Sequence, residues 1–135
     1  MIVGISLNSI NAEVVEKSIS GDISVNSTPV IESVEKRDVD VSEMKNVLAF
    51  KFSYETKYDP DVGRISMTGE VLYHTPKSEE IMKKWTKEKK IDEKIAVQIL
   101  NAIFRKCVTK TVDLSNELGL PPPIRYPVVK PKDED

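Results

Sequence analysis

Few side chains in this sequence could perform covalent chemistry, and they stand apart from one another. His74 is the only histidine and Cys107 the only cysteine. His74 falls at a strand end just before Thr75-Pro76, where solvent exposure accounts for it. Cys107 falls in an apolar stripe, where a thiol behaves as a small hydrophobe. A zinc site built on one His and one Cys would need carboxylates to complete its shell, which is unusual. No glycine-rich phosphate loop follows a strand. The carboxylates are numerous but scattered over exposed phases. Asp59 and Asp61 flank Pro60, and turn geometry explains them better than metal binding. These residues predict no catalytic centre, no metal and no cofactor, hence a protein that is not an enzyme. One charged run has two readings. Lys83-Lys84-Trp85-Thr86-Lys87-Glu88-Lys89-Lys90 could hold a phosphate backbone with one base stacked on the indole. The favoured reading is a solvated helix face with Trp85 tucked beneath, since the rest of the chain offsets this charge with acid.

The whole chain narrows the class. Its 135 residues are 39% hydrophobic and 31% charged, the balance of a single globular domain over 1–129 rather than a disordered chain. A net charge of −2 supplies no long-range field for nucleic acid or an anionic membrane. A single cysteine cannot form an internal disulfide and fits a reducing compartment. No apolar run approaches the roughly 18 residues that span a bilayer, and the start lacks a basic n-region. A cytoplasmic location is the expectation.

Hydrophobic periodicity places the elements. Residues 3–25 alternate as strand in more than one phase: Val3, Ile5 and Leu7, then Ile10, Ala12 and Val14, then Ile19, Ile23 and Val25. A slip of phase marks a bulge or a turn. Ser27-Thr28-Pro29 is read as the end of that stretch, and 30–46 as mixed, with a short strand at Val39 and Val41. The clearest unit is a hairpin. Leu48, Phe50, Phe52, Tyr54 and Tyr58 share one parity, and Ile65, Met67, Val71 and Tyr73 answer them across the turn Asp59-Pro60-Asp61-Val62-Gly63. Thr75 suits an N-cap and Pro76 a first helical position, opening a charged helix over 76–90 with Ile81, Met82 and Trp85 as its apolar stripe. A longer helix starts after Asp92 and runs to about Glu117, with Gly119 as its C-terminal cap.

The long helix carries two apolar stripes, one through Ile95, Ile99, Ala102, Ile103 and Cys107, the other through Val97, Leu100, Phe104, Val108 and Val112. One sheet face needs only one stripe. The second predicts packing against another copy of the chain; the alternative is coverage by the short helix. After Gly119, Leu120-Pro121-Pro122-Pro123-Ile124-Arg125-Tyr126-Pro127-Val128-Val129 is forced into an extended path. Its apolar residues predict that it lies back along the sheet or helix. Residues 130–135 form an acidic tail expected to be disordered.

The order of these elements, a four-stranded antiparallel sheet, one long helix and an extended proline segment, resembles the SecB export-chaperone family. Asp22-Ile23-Ser24-Val25-Asn26-Ser27-Thr28-Pro29 resembles the end of that family's first strand. Val47–Tyr73 resembles its central hairpin, and Ile99–Val112, with Arg105 and Cys107, its main helix. Leu120–Val128 resembles the loop that walls its client groove. The chain stops at Asp135, before the family's second helix and the tail that contacts the SecA motor. The resemblance implies an α+β fold with the long helix packed on the sheet. It also implies an ATP-independent holdase for unfolded polypeptides or preproteins, and a homo-oligomer, dimer or dimer of dimers. The client-binding residues it points to are Phe50, Phe52, Tyr54, Met82, Trp85, Ile124, Tyr126 and Val128. The oligomer interface would use Ile99, Ile103, Val97, Leu100 and Phe104. Two other functions stay open: a dedicated chaperone of a single partner such as an antitoxin, and a nucleic-acid-binding module using the 83–90 lysines.

Overall fold

The computed structural model describes residues 1–15, 21–39, 44–125 and 127–131. Four strands, β1 (Ile2–Val14), β2 (Ser24–Val39), β3 (Met44–Asp59) and β4 (Gly63–His74), precede two helices, α1 (Ser78–Glu88) and α2 (Glu93–Leu118). The strands form one antiparallel sheet in the order β1-β4-β3-β2. This is the expected α+β architecture, a four-stranded sheet under one long helix.

The central hairpin organises the core. β3 and β4 pair in unbroken register, setting Leu48 opposite Tyr73, Phe50 opposite Val71, Tyr54 opposite Met67 and Thr56 opposite Ile65. These residues alternate with Lys51, Ser53, Arg64 and Thr68, so one face is apolar and the other wet, as a period of two requires. All eight core-side members of those pairs are buried. Opposite Phe52 stands Gly69. A Cβ there would lie 2.2 Å from the Ser6 carbonyl oxygen and 2.9 Å from the Phe52 ring. The missing side chain therefore lets β1 approach and lets Phe52 fold over the strand. At the same place β1 shifts register, between Leu7 and Ser9, which is the phase slip visible in its sequence. Gly63 has a related reason. Its Cβ would sit 2.6 Å from the Glu13 carbonyl oxygen, so close approach of β1 selects glycine. The positive φ in this turn is at Asp61 instead.

β2 departs from the sequence expectation. Pro29, read as a terminator, lies inside the strand opposite Tyr54, and the stretch to Val39 is strand throughout. An edge strand tolerates proline because one row of its N–H groups has no ladder partner. Val41 lies outside the described residues. On the wet face Arg37 grips Glu70 with two hydrogen bonds of 2.8 and 3.0 Å, bracing β2 to β4 across β3.

The helices begin and end close to the predicted signals. Asp92 is the N-cap residue of α2, and Gly119 closes it in the left-handed region at φ 70°. There the Leu120 N–H returns to the Ser115 carbonyl at 2.9 Å. α1 begins later than predicted: Lys77 is its N-cap residue, while the Thr75 hydroxyl accepts from the Lys77 N–H at 3.1 Å. α2, 26 residues long and so about 39 Å at ~1.5 Å per residue, rests mainly across β1 and β4. α1 rests against β2 and β3.

Candidate functional site

The path of α2 across the sheet decides which apolar surface remains open. Its sheet-facing line, Ile99, Ile103, Cys107, Thr111 and Ser115, is fully buried. Successive residues of a helix turn by about 100°, so Gln98, Ala102, Arg105 and Thr109 occupy one flank and Leu100, Phe104, Val108 and Val112 the other. The first flank faces β1: Ala102 and Arg105 border Met1 and Ile2, and Arg105 and Thr109 border Leu7. The second therefore faces β3 and β2. Phe104 confirms this by setting its ring edge-on to Tyr54 of β3, with centroids 5.9 Å apart at 88°.

The two edges of the sheet thus differ in chemistry. Beside β1 the helix wall is largely polar. Beside β2 it is apolar, and the core-side residues of β2, Val25, Pro29 and Ile31, are only half-buried. Apolar surface therefore stays open on this side: Phe104 is 38% exposed and Leu100 and Val108 are half-buried. Beneath it the hydroxyls of Tyr54 and Tyr58 are buried without a hydrogen-bond partner among the described residues. Near Tyr54, Ser27 and Thr56 bond to each other instead, at 2.8 Å. Burial pushes both phenols above their ordinary pKa. Buried donors left unpaired make this part of the core less stable than apolar packing would.

The sequence-predicted residues divide. Phe50, Phe52 and Tyr54 are at most 1% exposed; they are core between the sheet and α2 and present no wall to a client. Ile99 and Ile103 are likewise core, at 0%, because theirs is the sheet-facing stripe. Val97, at 49%, Leu100 and Phe104 remain on the surface of α2. Met82 and Trp85 are half-buried against the core at the α1 end. The C-terminal segment docks through Leu120, which is 6% exposed, while Ile124 and Val128 face outward at 46% and 76%. The expectation that this segment lies back along the fold thus holds only as far as Pro123. Tyr126 lies outside the described residues, as do 132–135 of the acidic tail. Sequence reading missed Pro29 and Ile31. Their parity with Val25 and Ser27 was a usable signal, obscured by treating Pro29 as a strand end.

Trp85 does not offer an open stacking face. It is half-buried, and the Lys89 ammonium sits 5.4 Å from its ring centroid. Cys107 is fully buried, and loss of hydration pushes its thiol up to about 11, which leaves it protonated and inert at neutral pH. Among the described residues no three metal-ligating side chains converge, and no helix is long and apolar enough to cross a membrane.

No protein-family model matches the chain, and no curated protein matches it in sequence. Solved structures do match. The chain is similar to the Mycobacterium tuberculosis Rv1957 SecB-like chaperone, in complex with a ChAD peptide from the Rv1956 HigA1 antitoxin, with a TM-score of 0.62 and 18% identity. The likeness covers 97% of this chain and 91% of that one. A sheet ordered β1-β4-β3-β2 under a long helix, together with this near-complete superposition, gives the chain a SecB-like fold.

Proposed function

We propose that this protein is an ATP-independent chaperone that holds extended, unfolded polypeptide segments in a trough floored by Val25, Pro29 and Ile31 of β2 and walled by Leu100, Phe104 and Val108 of α2. The asymmetry of the two sheet edges carries the reading: the helix flank beside β2 presents Leu100, Phe104 and Val108, where the flank beside β1 presents Gln98, Arg105 and Thr109. An open strip with apolar floor and walls gains by burial, at ~25 cal/mol per Å². Burial is non-directional, so it selects apolar content rather than sequence. Among the described residues β2 is also a free sheet edge, able to pair with an extended backbone. No cofactor enters this mechanism. The cytoplasm is the compartment that suits a chain with one buried thiol.

Assembly into a dimer or dimer of dimers is part of the proposal. Among the described residues the outer edge of β1 has no partner strand and Ile10 is 45% exposed, and Val97 stands on the outward crest of α2. These surfaces fit a second copy of the chain and leave the trough to the client. A narrower reading, one dedicated partner, is favoured by the structural neighbour, whose complex holds a peptide from an antitoxin.

The test is binding to a slowly refolding client, presented unfolded and native, at low and moderate salt. Micromolar or tighter binding of the unfolded form alone, little changed by salt, supports the holdase. Binding of one partner among many unfolded clients supports the dedicated chaperone. No binding to any unfolded polypeptide sinks both.

A further inference from the structure

A second surface lies on the opposite flank of α2 from Phe104. There α1, the start of α2 and the end of β4 enclose a cleft of about 550 Å³, a volume typical of binding sites. Its floor is aliphatic, made by Ile81, Ile91 and Ile95 with the edge of Tyr73. Four lysines, Lys77, Lys84, Lys90 and Lys94, stand on its rim against two carboxylates, Glu80 and Asp92. None of the four lysines is in an ion pair among the described residues. A chain of net charge −2 therefore concentrates unpaired positive charge around one apolar pit, and the first turn of α2 adds the positive end of its dipole.

We infer that this cleft docks an acidic, apolar-anchored segment of a polypeptide: one or two large aliphatic side chains flanked by Asp or Glu. Each part of such a segment has a counterpart. The aliphatic residues meet the isoleucine floor, the flanking carboxylates meet the lysines, and backbone N–H groups can donate to Glu80 and Asp92. A nucleic-acid strand fits less well. The cleft has no free aromatic face for a base, since Tyr73 is 8% exposed and donates its hydroxyl to Gln98 at 3.0 Å. The inference deepens the chaperone reading by naming a class of client, and it rests on that reading only in taking the occupant to be polypeptide.

The experiment is fluorescence anisotropy of the full chain with three labelled peptides sharing one aliphatic core, flanked by acidic, neutral or lysine residues. The acidic peptide is expected to bind about tenfold more tightly than the lysine-flanked one at low salt, with the gap narrowing at high salt. K84E/K94E, at two exposed positions, is expected to reverse that order while leaving the binding of a neutral unfolded client unchanged. Equal affinity for all three peptides overturns the inference, as does tighter binding of a single-stranded oligonucleotide than of the acidic peptide. Capture of neutral unfolded clients without any charge preference leaves the holdase standing and removes this cleft. Acidic-peptide binding without capture of unfolded clients does the reverse.

Discussion

Replacing Phe104 with alanine separates a client-binding wall from a piece of core. Phe104 is 38% exposed and packs its buried part edge-on against Tyr54. A phenylalanine side chain offers roughly 200 Å². About 75 Å² is then left for a client, worth about 2 kcal/mol at ~25 cal/mol per Å², or an upper bound of roughly 25-fold in affinity. Part of that gain is offset by the ordering of client and side chains, so a loss of about 10-fold is the expected reading. The buried part, about 125 Å², contributes up to about 3 kcal/mol to folding by the same conversion. Phe50→Ala in the closed core should cost at least as much, ~3–5 kcal/mol. Titration with a permanently unfolded client gives the first quantity and urea denaturation gives the second. Ile124→Ala/Val128→Ala is the comparison, because those two outward-facing residues of the C-terminal segment are the other client-binding candidates. If Phe104→Ala folds normally and binds the unfolded client with unchanged affinity while the double variant loses it, the trough is not the site.

Gly69→Ala is expected to destabilise the fold by more than about 2 kcal/mol, because the new Cβ meets Ser6 and Phe52; hydrogen exchange should quicken first in the amides of β1. Gly4→Ala, whose Cβ meets only Leu72 at 4.0 Å, should change the melting midpoint little. Burial raises the Cys107 thiol to about 11 from an ordinary 9.0. The unfolded chain therefore sheds this proton first, and stability should be flat below pH 9 and fall by about 2–3 kcal/mol toward pH 11. Cys107→Ala should remove most of that slope in melts taken between pH 8 and 11. Arg37→Ala should cost about 0.5–1 kcal/mol in denaturant melts, and Arg37→Lys should recover little of it, because an ammonium cannot reproduce the two-pronged grip on Glu70.

Most of the fold was legible because local pattern and tertiary demand agree. The hairpin announces itself by parity, the bulge of β1 by a phase slip, and α2 by Asp92 and Gly119 at its ends. Two features were hidden. Pro29 carries a local signal for a strand end, and only its position at a sheet edge, a fact of pairing, cancels that signal. Gly63 reads as a turn glycine, yet its requirement comes from Glu13, 50 positions earlier in the chain. Both errors concern contacts made across long stretches of sequence, which no window of neighbouring residues contains.

The site was less legible for a related reason. A helix with two apolar stripes states that both must be covered, but not which one meets the sheet. Ile99, Ile103, Phe104 and Leu100 were therefore grouped together, although the sheet divides them. Once Ile99, Ile103 and Cys107 are committed to the sheet, a turn of about 100° per residue leaves Leu100, Phe104 and Val108 only the flank toward β2. The aromatic residues of β3 were candidates for a client wall while their cover was unknown. With α2 seated above them, the proposed wall is instead Leu100, Phe104 and Val108 on the helix, and Tyr54 is the support on which Phe104 rests. The Tyr54 hydroxyl is buried and, among the described residues, unpaired, a donor open to a client's backbone carbonyl if binding loosens the core beside Phe104. Tyr54→Phe then discriminates between two roles. It removes a buried unpaired group, so the free protein should be unchanged or slightly more stable. If the hydroxyl is used by clients, their affinity should drop several-fold in the same titration; an unchanged affinity confines Tyr54 to packing.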